Sequence, residues 1–171
     1  QKASAVRYRD LTSDKTWSGR GRKPNWLGGD ADISVPVNDT QTLYIFGDTY
    51  VGDKNESRKT ATGGMVSSSV AVSTCLPDGK KNIQYYWRNM YTRHPEPIFK
   101  SLTNRYNLWV TNAIMFKNCL YVLMQKTSEK NGPDQDDFFN FSPLGFVLAK
   151  VTNPLTAAPE KWDIEFIPIS F

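Results

Sequence analysis

The sequence predicts an all-β protein built from two four-stranded antiparallel sheets. Three observations carry that expectation. Apolar residues alternate with small or polar ones at a period of two in 65–75 and 82–87, the pattern of strands with one buried face. The apolar runs are short and bounded by clusters of Gly, Pro, Asn and Asp. Strand-like segments also recur in the same order at a spacing of roughly 75 residues, as in proteins made of repeated units. With 171 residues, 39% hydrophobic and 13% aromatic, the chain is long enough for one ordered domain with a real core.

Residues 1–25 read as an irregular arm, with turn chemistry at Ser13, Asp14, Ser18, Gly19 and Gly21. The chain has 21 basic and 17 acidic residues, a net charge of +4. Much of the excess lies in Arg7, Arg9, Lys15, Arg20, Arg22 and Lys23. No aromatic and basic pattern of a known nucleic-acid module follows, so this cluster reads as a solvated face and no nucleic-acid partner is expected.

A single all-β domain over 26–171 follows, its first strand set at about 26–90 and its second at about 105–169. In the first set, residues 31–37 and 42–50 form two strands joined by the polar turn Asn38-Asp39-Thr40-Gln41. Residues 51–62 are too polar for a core and form a loop. Strands over 65–75 and 82–87 flank the turn Leu76-Pro77-Asp78-Gly79-Lys80. After the Pro95–Pro97 break, the second set opens with 107–116, the tight turn Lys117-Asn118 and 119–126. A polar loop, a strand over 144–151 and an edge strand over 162–169, with Pro168 near its end, complete it.

In both sets the order is long loop, inner hairpin, outer strand, which reads as two four-stranded antiparallel blades of a β-propeller. A β-sandwich of eight strands fits the same count and is the alternative. Two blades alone leave apolar faces open, so this reading makes them part of a larger propeller, completed by further blades or partner chains.

The chemistry concentrates in the first hairpin. The start of one antiparallel strand lies beside the end of its neighbour, so Asp30 or Asp32 should share a rim with Asp48. Paired carboxyl groups suit glycoside cleavage, one protonated to help the leaving oxygen and one ionised to attack or to activate water. An Asp after Gly28-Gly29 and one in Gly47-Asp48-Thr49 are also what turns look like, with the carboxylate accepting backbone N–H groups. Trp17 and Trp26 flank the rim and can stack on sugar faces or simply pack.

Elsewhere the signals are weaker. His94 sits beside Pro95 without a Cys or His partner spaced for zinc, so no metal is expected. Asp134, Asp136 and Asp137 with Asn131 and Asn140 have oxygen ligands for a structural calcium, but not the spacing of a calcium loop, and no cofactor is expected. No run approaches a membrane span, and the first residues lack the pattern of a signal peptide. Asn38-Asp39-Thr40 and Asn55-Glu56-Ser57 fit the glycan-acceptor pattern and lean towards export: secreted, periplasmic or at the cell surface. Cys75 and Cys119 fit either one disulfide or two free thiols.

Gly29-Asp30, Ser34-Val35-Pro36, 42–49 ending in Phe46-Gly47-Asp48-Thr49, and Ser67-Ser68-Ser69-Val70-Ala71 together resemble the five-bladed β-propeller glycosidase-like families. These families were formerly known as domains of unknown function and include arabinan-cleaving members. The likeness is specific over 26–75 and loose over 105–167, so it covers the N-terminal portion of such a propeller. It implies a carbohydrate substrate in a central funnel, with catalytic roles on Asp30 and Asp48 and with Asp32 as the alternative to Asp30. Trp26, Trp109, Asn112 and Ser69 are the implied substrate contacts. Asn112 stands where many relatives carry an acidic residue. That departure keeps a noncatalytic carbohydrate-binding or surface interaction protein of the same fold as the second reading.

Overall fold

A computed structural model of the chain describes residues 8–9, 16–17, 32–51, 65–90, 94–101, 103, 106–129 and 141–169. Twelve strands occur among them. They are β1 (Tyr8–Arg9), β2 (Thr16–Trp17), β3 (Ile33–Pro36), β4 (Gln41–Phe46), β5 (Thr49–Tyr50) and β6 (Met65–Val66). The others are β7 (Ser69–Cys75), β8 (Lys81–Tyr86), β9 (Asn107–Phe116), β10 (Cys119–Glu129), β11 (Phe141–Val151) and β12 (Ile164–Ile169). The described residues include no α-helix, only the 3-10 turn Pro159–Lys161. No described helix is long and apolar enough to cross a membrane.

Two four-stranded antiparallel sheets organise the chain, in the orders β3-β4-β7-β8 and β9-β10-β11-β12. Apart from β5 and β6, which pair with each other, each sheet is a meander in chain order. The expected all-β architecture is borne out. The sheets meet through β9, which lies against β3 and β4, an arrangement that fits adjacent propeller blades and fits a sandwich.

Turn chemistry sets the hairpins. Asn38 Oδ1 accepts the backbone N–H groups of Thr40 and Gln41, each at 2.9 Å, an Asx turn that fixes the β3–β4 register. Lys117 and Asn118 both take positive φ, 47° and 63°, as a two-residue turn between twisted strands requires. At the β7–β8 turn the Lys80 side chain bonds Asp78 and, with the Lys80 backbone N–H, holds its carboxyl below the usual range.

The core lies between the sheets. Val35, Leu43, Ile45 and Val70 of the first pack against Leu108, Leu120, Val122 and Ala149 of the second, closed at the margin by Ile98, Phe99 and Trp162. A second buried cluster, Phe46, Ala71 and Ile83, occupies the reverse face of the first sheet. Along β4 the alternation Leu43, Tyr44, Ile45, Phe46 sends successive residues to the two clusters, which is the pleat at work.

Two local features differ from the sequence reading, and a third falls on one of the alternatives it left open. Residues 65–75, expected as one strand, divide into β6 and β7 at Ser67-Ser68. There the Ser68 carbonyl accepts the Ile98 N–H at 3.2 Å and its hydroxyl oxygen accepts the Phe99 N–H at 3.0 Å. These bonds commit Ser68 to a distant loop instead of a ladder. Within the stretch read as an irregular arm, β1 and β2 pair with each other and β1 lies against β8. The two cysteines are both free, Cys75 exposed and Cys119 half-buried.

Candidate functional site

The rim where β3 begins and β4 ends is the candidate site. Ile33 pairs with Ile45 and Val35 with Leu43, so Asp32, one residue before the ladder, stands at the end where β4 runs into Gly47-Asp48. Asp32 is exposed and adopts a left-handed backbone, φ 39°, a conformation that Asp tolerates better than most residues. Asp48 is half-buried in the bend between β4 and β5. Asp30 and Trp26 lie outside the described residues.

The residue after Asp48 fixes that bend. The Thr49 hydroxyl donates to the Gly47 carbonyl at 2.9 Å and lies 2.8 Å from the Ser69 hydroxyl. Because the Thr49 proton is directed to Gly47, Ser69 is the donor in the second bond. Both residues are nearly sealed from solvent, Thr49 at 5% and Ser69 at 1% exposure. Ser69, expected as a sugar contact, is therefore spent on bracing the bend. Thr49 shares that role, which neither the Phe-Gly-Asp-Thr run nor the Ser-Ser-Ser run reveals when each is read alone.

The other expected contacts sit on β9. Trp109 is half-buried, its ring edge-on to Phe141 at a centroid distance of 4.2 Å. Asn112 is exposed, and its Oδ1 accepts the N–H of Ala113 at 2.8 Å. Leu123 pairs with Asn112 but Met124 pairs with Val110, so Thr111 is the extra residue of a bulge, and its hydroxyl donates to the Leu123 carbonyl at 3.0 Å. A bulge reverses which face the following side chains take, which is how Asn112 comes to point outward. No alternation rule reveals it.

A shallow groove of about 140 Å³ lies elsewhere, between the first sheet and the loop that precedes β12. Val37, Gln41, Leu43, Tyr86, Pro159 and Trp162 are among its walls, and none of the expected site residues is. Val37 follows β3 and Gln41 opens β4, at the opposite end of that hairpin from Asp48. Among the described residues no group of His, Cys, Asp and Glu is placed to hold a metal ion.

Comparison with known proteins separates two regions. The family model described as "Domain of unknown function (DUF5005)" matches residues 18–164. A crystal structure from Bacteroides ovatus, described as a "putative hydrolase", superposes with a TM-score of 0.53 at 17% identity. That match covers 81% of this chain and 37% of the other, and at this identity it speaks to fold alone. The amino-terminal stretch is different. Residues 3–30 match the H-NS histone C-terminal domain. A stretch of 28 residues is 67% identical to DNA-binding protein Bv3F of Burkholderia vietnamiensis, covering 16% of this chain and 25% of that protein.

These two matches overturn the expectation of no nucleic-acid partner. The physical ground lies in the sequence itself: residues 3–30 hold six basic and three acidic residues, so they carry three of the four net positive charges, and Trp17 and Trp26 bracket Gly19-Arg20-Gly21-Arg22-Lys23. The stretch is basic with aromatic interleaving, a combination that a solvated arm does not need.

Proposed function

We propose that this chain, which belongs to the DUF5005 family, carries one wall of a glycan-cleaving site, with Asp48 and either Asp30 or Asp32 as its carboxyl pair. The observation that supports this most directly is the β3–β4 register, which brings Asp32 and the Gly47-Asp48 bend to one rim. The likeness of fold to a protein described as a hydrolase supports it more broadly. In this reading one carboxyl is ionised and attacks the anomeric carbon or activates water, while the other protonates the leaving oxygen. Asp30 or Asp32, at the start of the strand nearest the second sheet, takes the ionised role; half-buried Asp48 takes the acid role or orients the sugar.

Release of reducing ends from a panel of plant, bacterial and host glycans tests this, with Asp30→Asn, Asp32→Asn and Asp48→Asn in parallel. Activity lost on Asp48→Asn and on one of the other two supports the reading. Hydrolysis untouched by all three ends it. Retention on a glycan array without release favours the noncatalytic carbohydrate-binding protein, the form to which Asn112 leans.

A second reading rests on a separate observation, the 67% identity of 28 residues to a DNA-binding protein. In it the amino-terminal basic stretch contacts duplex nucleic acid, its Arg and Lys neutralising phosphates. The two readings share Trp26 and Asp30, which lie within both matched regions, whereas Asp48 lies only in the DUF5005 region. Binding of labelled duplex DNA by wild type and by Asp48→Asn, together with fractionation of expressing cells, separates them. The glycan reading expects a secreted, periplasmic or surface protein. The DNA reading expects association with nucleic acid, indifferent to Asp48.

A further inference from the structure

The two short strands beside the candidate rim have unlike faces. In the β5–β6 ladder Thr49 pairs with Val66 and Tyr50 with Met65. Thr49 and Val66 are buried, whereas Tyr50 is 44% exposed and Met65 53%. The alternation runs past the ladder: Asp48 and Ser67 are half-buried, Val51 and Ser68 buried. Successive residues of an extended chain take opposite faces, so Asp48, Tyr50, Met65 and Ser67 share one side. Tyr50 therefore stands two residues from Asp48 on the same side, with Met65 directly across the ladder from it.

A pair of two-residue strands is marginal by itself, yet both strands are pinned. On β5 the Thr49 hydroxyl donates to the Gly47 carbonyl and meets the Ser69 hydroxyl at 2.8 Å. Just past β6 the Ser68 hydroxyl oxygen accepts the Phe99 N–H at 3.0 Å. Thr49 lies between Asp48 and Tyr50 in the chain, so the tie that closes the bend also sets the direction of both side chains.

We propose that the Tyr50 ring, widened by the Met65 thioether, is a stacking platform for the sugar next to the bond on which Asp48 acts; this rests on the glycan reading of the Asp48 rim. The C–H groups on one face of a pyranose or furanose pack on an aromatic ring as any apolar surface would. The hydroxyls at the edge of the sugar need polar partners, and Asp48 and Ser67 supply them from the same side. A thioether adapts to irregular apolar contours, so the pair suits sugars of more than one ring shape. Packing of the strands themselves is served by Thr49, Val51, Val66 and Ser68 on the buried side. Two large side chains held beside a carboxylate on the other side match the apolar face and polar edge of a sugar.

Kinetics of reducing-end release by the full chain from soluble arabinan-, xylan-, cellulose- and mannan-derived oligosaccharides test this, with thermal midpoints measured in parallel. On an oligosaccharide that wild type cleaves, Tyr50→Ala should raise KM about tenfold, the loss of one stacking contact, with kcat and the thermal midpoint nearly unchanged. Tyr50→Phe keeps the ring face and should match wild type, Met65→Ala should give a smaller rise, and the control Leu155→Ala none. Should Tyr50→Ala fail to fold, Tyr50→Leu keeps apolar bulk without a ring face and should show the same rise. An unmoved KM in Tyr50→Ala or Tyr50→Leu overturns the platform and leaves the carboxyl pair standing. A lowered thermal midpoint with KM unmoved does so too, and makes the ring a packing residue. Absence of release by wild type from all four kinds is the failure of the glycan reading itself, and the platform falls with it.

Discussion

The Thr49 and Ser69 hydroxyls lie 2.8 Å apart, both buried, and tie the bend after β4 to the first residue of β7. Thr49 also donates to the Gly47 carbonyl, so one side chain closes the bend that carries Asp48 and anchors it to the next strand. The hydroxyls form a short chain from Ser69 through Thr49 to Gly47.

Thr49→Val keeps the shape and removes both bonds, leaving the Ser69 hydroxyl buried without its partner. The expected cost is about 1–3 kcal/mol, the usual penalty for stranding a buried polar group. Ser69→Ala should cost less, because Thr49 keeps its bond to Gly47. The double variant should cost less than the two added together, since the second substitution removes a group the first has already stranded. Urea titrations of the four proteins check this; strict additivity would show that the hydroxyls do not interact.

Ser68 makes a different kind of tie. Its hydroxyl oxygen accepts the Phe99 N–H and its carbonyl the Ile98 N–H, and Ile98 and Phe99 are both fully buried. Ser68→Ala strands the Phe99 N–H alone, so a loss of about 1–3 kcal/mol is expected. Hydrogen exchange should quicken at Phe99 more than at Ile98, whose acceptor is backbone and remains. Equal quickening at both amides would mean that the loop detaches as a unit.

Those two serines mark the boundary of what alternation encodes. Alternation alone locates the inner strands, because Leu43, Ile45, Val70 and Val122 must face one way for the core to close. It cannot divide β6 from β7, since the cause is a loop some thirty residues on whose amides need Ser68. Nor can it find the bulge at Thr111, an extra residue relative to β10 that a single strand's pattern does not register. The rim is legible as a pair of aspartates at the ends of a hairpin. Its brace is not, because a buried Thr–Ser contact depends on register across two strands.

Gly145 faces the second register shift, beside Lys126 and Thr127, with φ of 111°. A methyl group there would find room, its nearest neighbour being Lys126 Cε at 3.9 Å. Space is therefore not the constraint; conformation is. Gly145→Ala should cost about 1–3 kcal/mol through backbone strain alone, and shortening the neighbour with Lys126→Ala should not recover it. Recovery of the thermal midpoint in the double variant would return the cause to crowding.

If residues 3–30 contact duplex DNA, the interaction is chiefly one between Arg or Lys and phosphate, and it should weaken steeply with salt. Replacing Arg20 and Arg22 by Ala removes two of the six basic residues in that stretch. The slope of log affinity against log salt should fall by about 0.9 for each phosphate no longer neutralised, and the weakening should be nearly the same across duplex sequences, because the phosphate backbone carries no base information. Fluorescence anisotropy with two unrelated duplexes between about 50 and 200 mM salt measures both quantities. An unchanged slope with weaker binding would place these arginines at base edges instead.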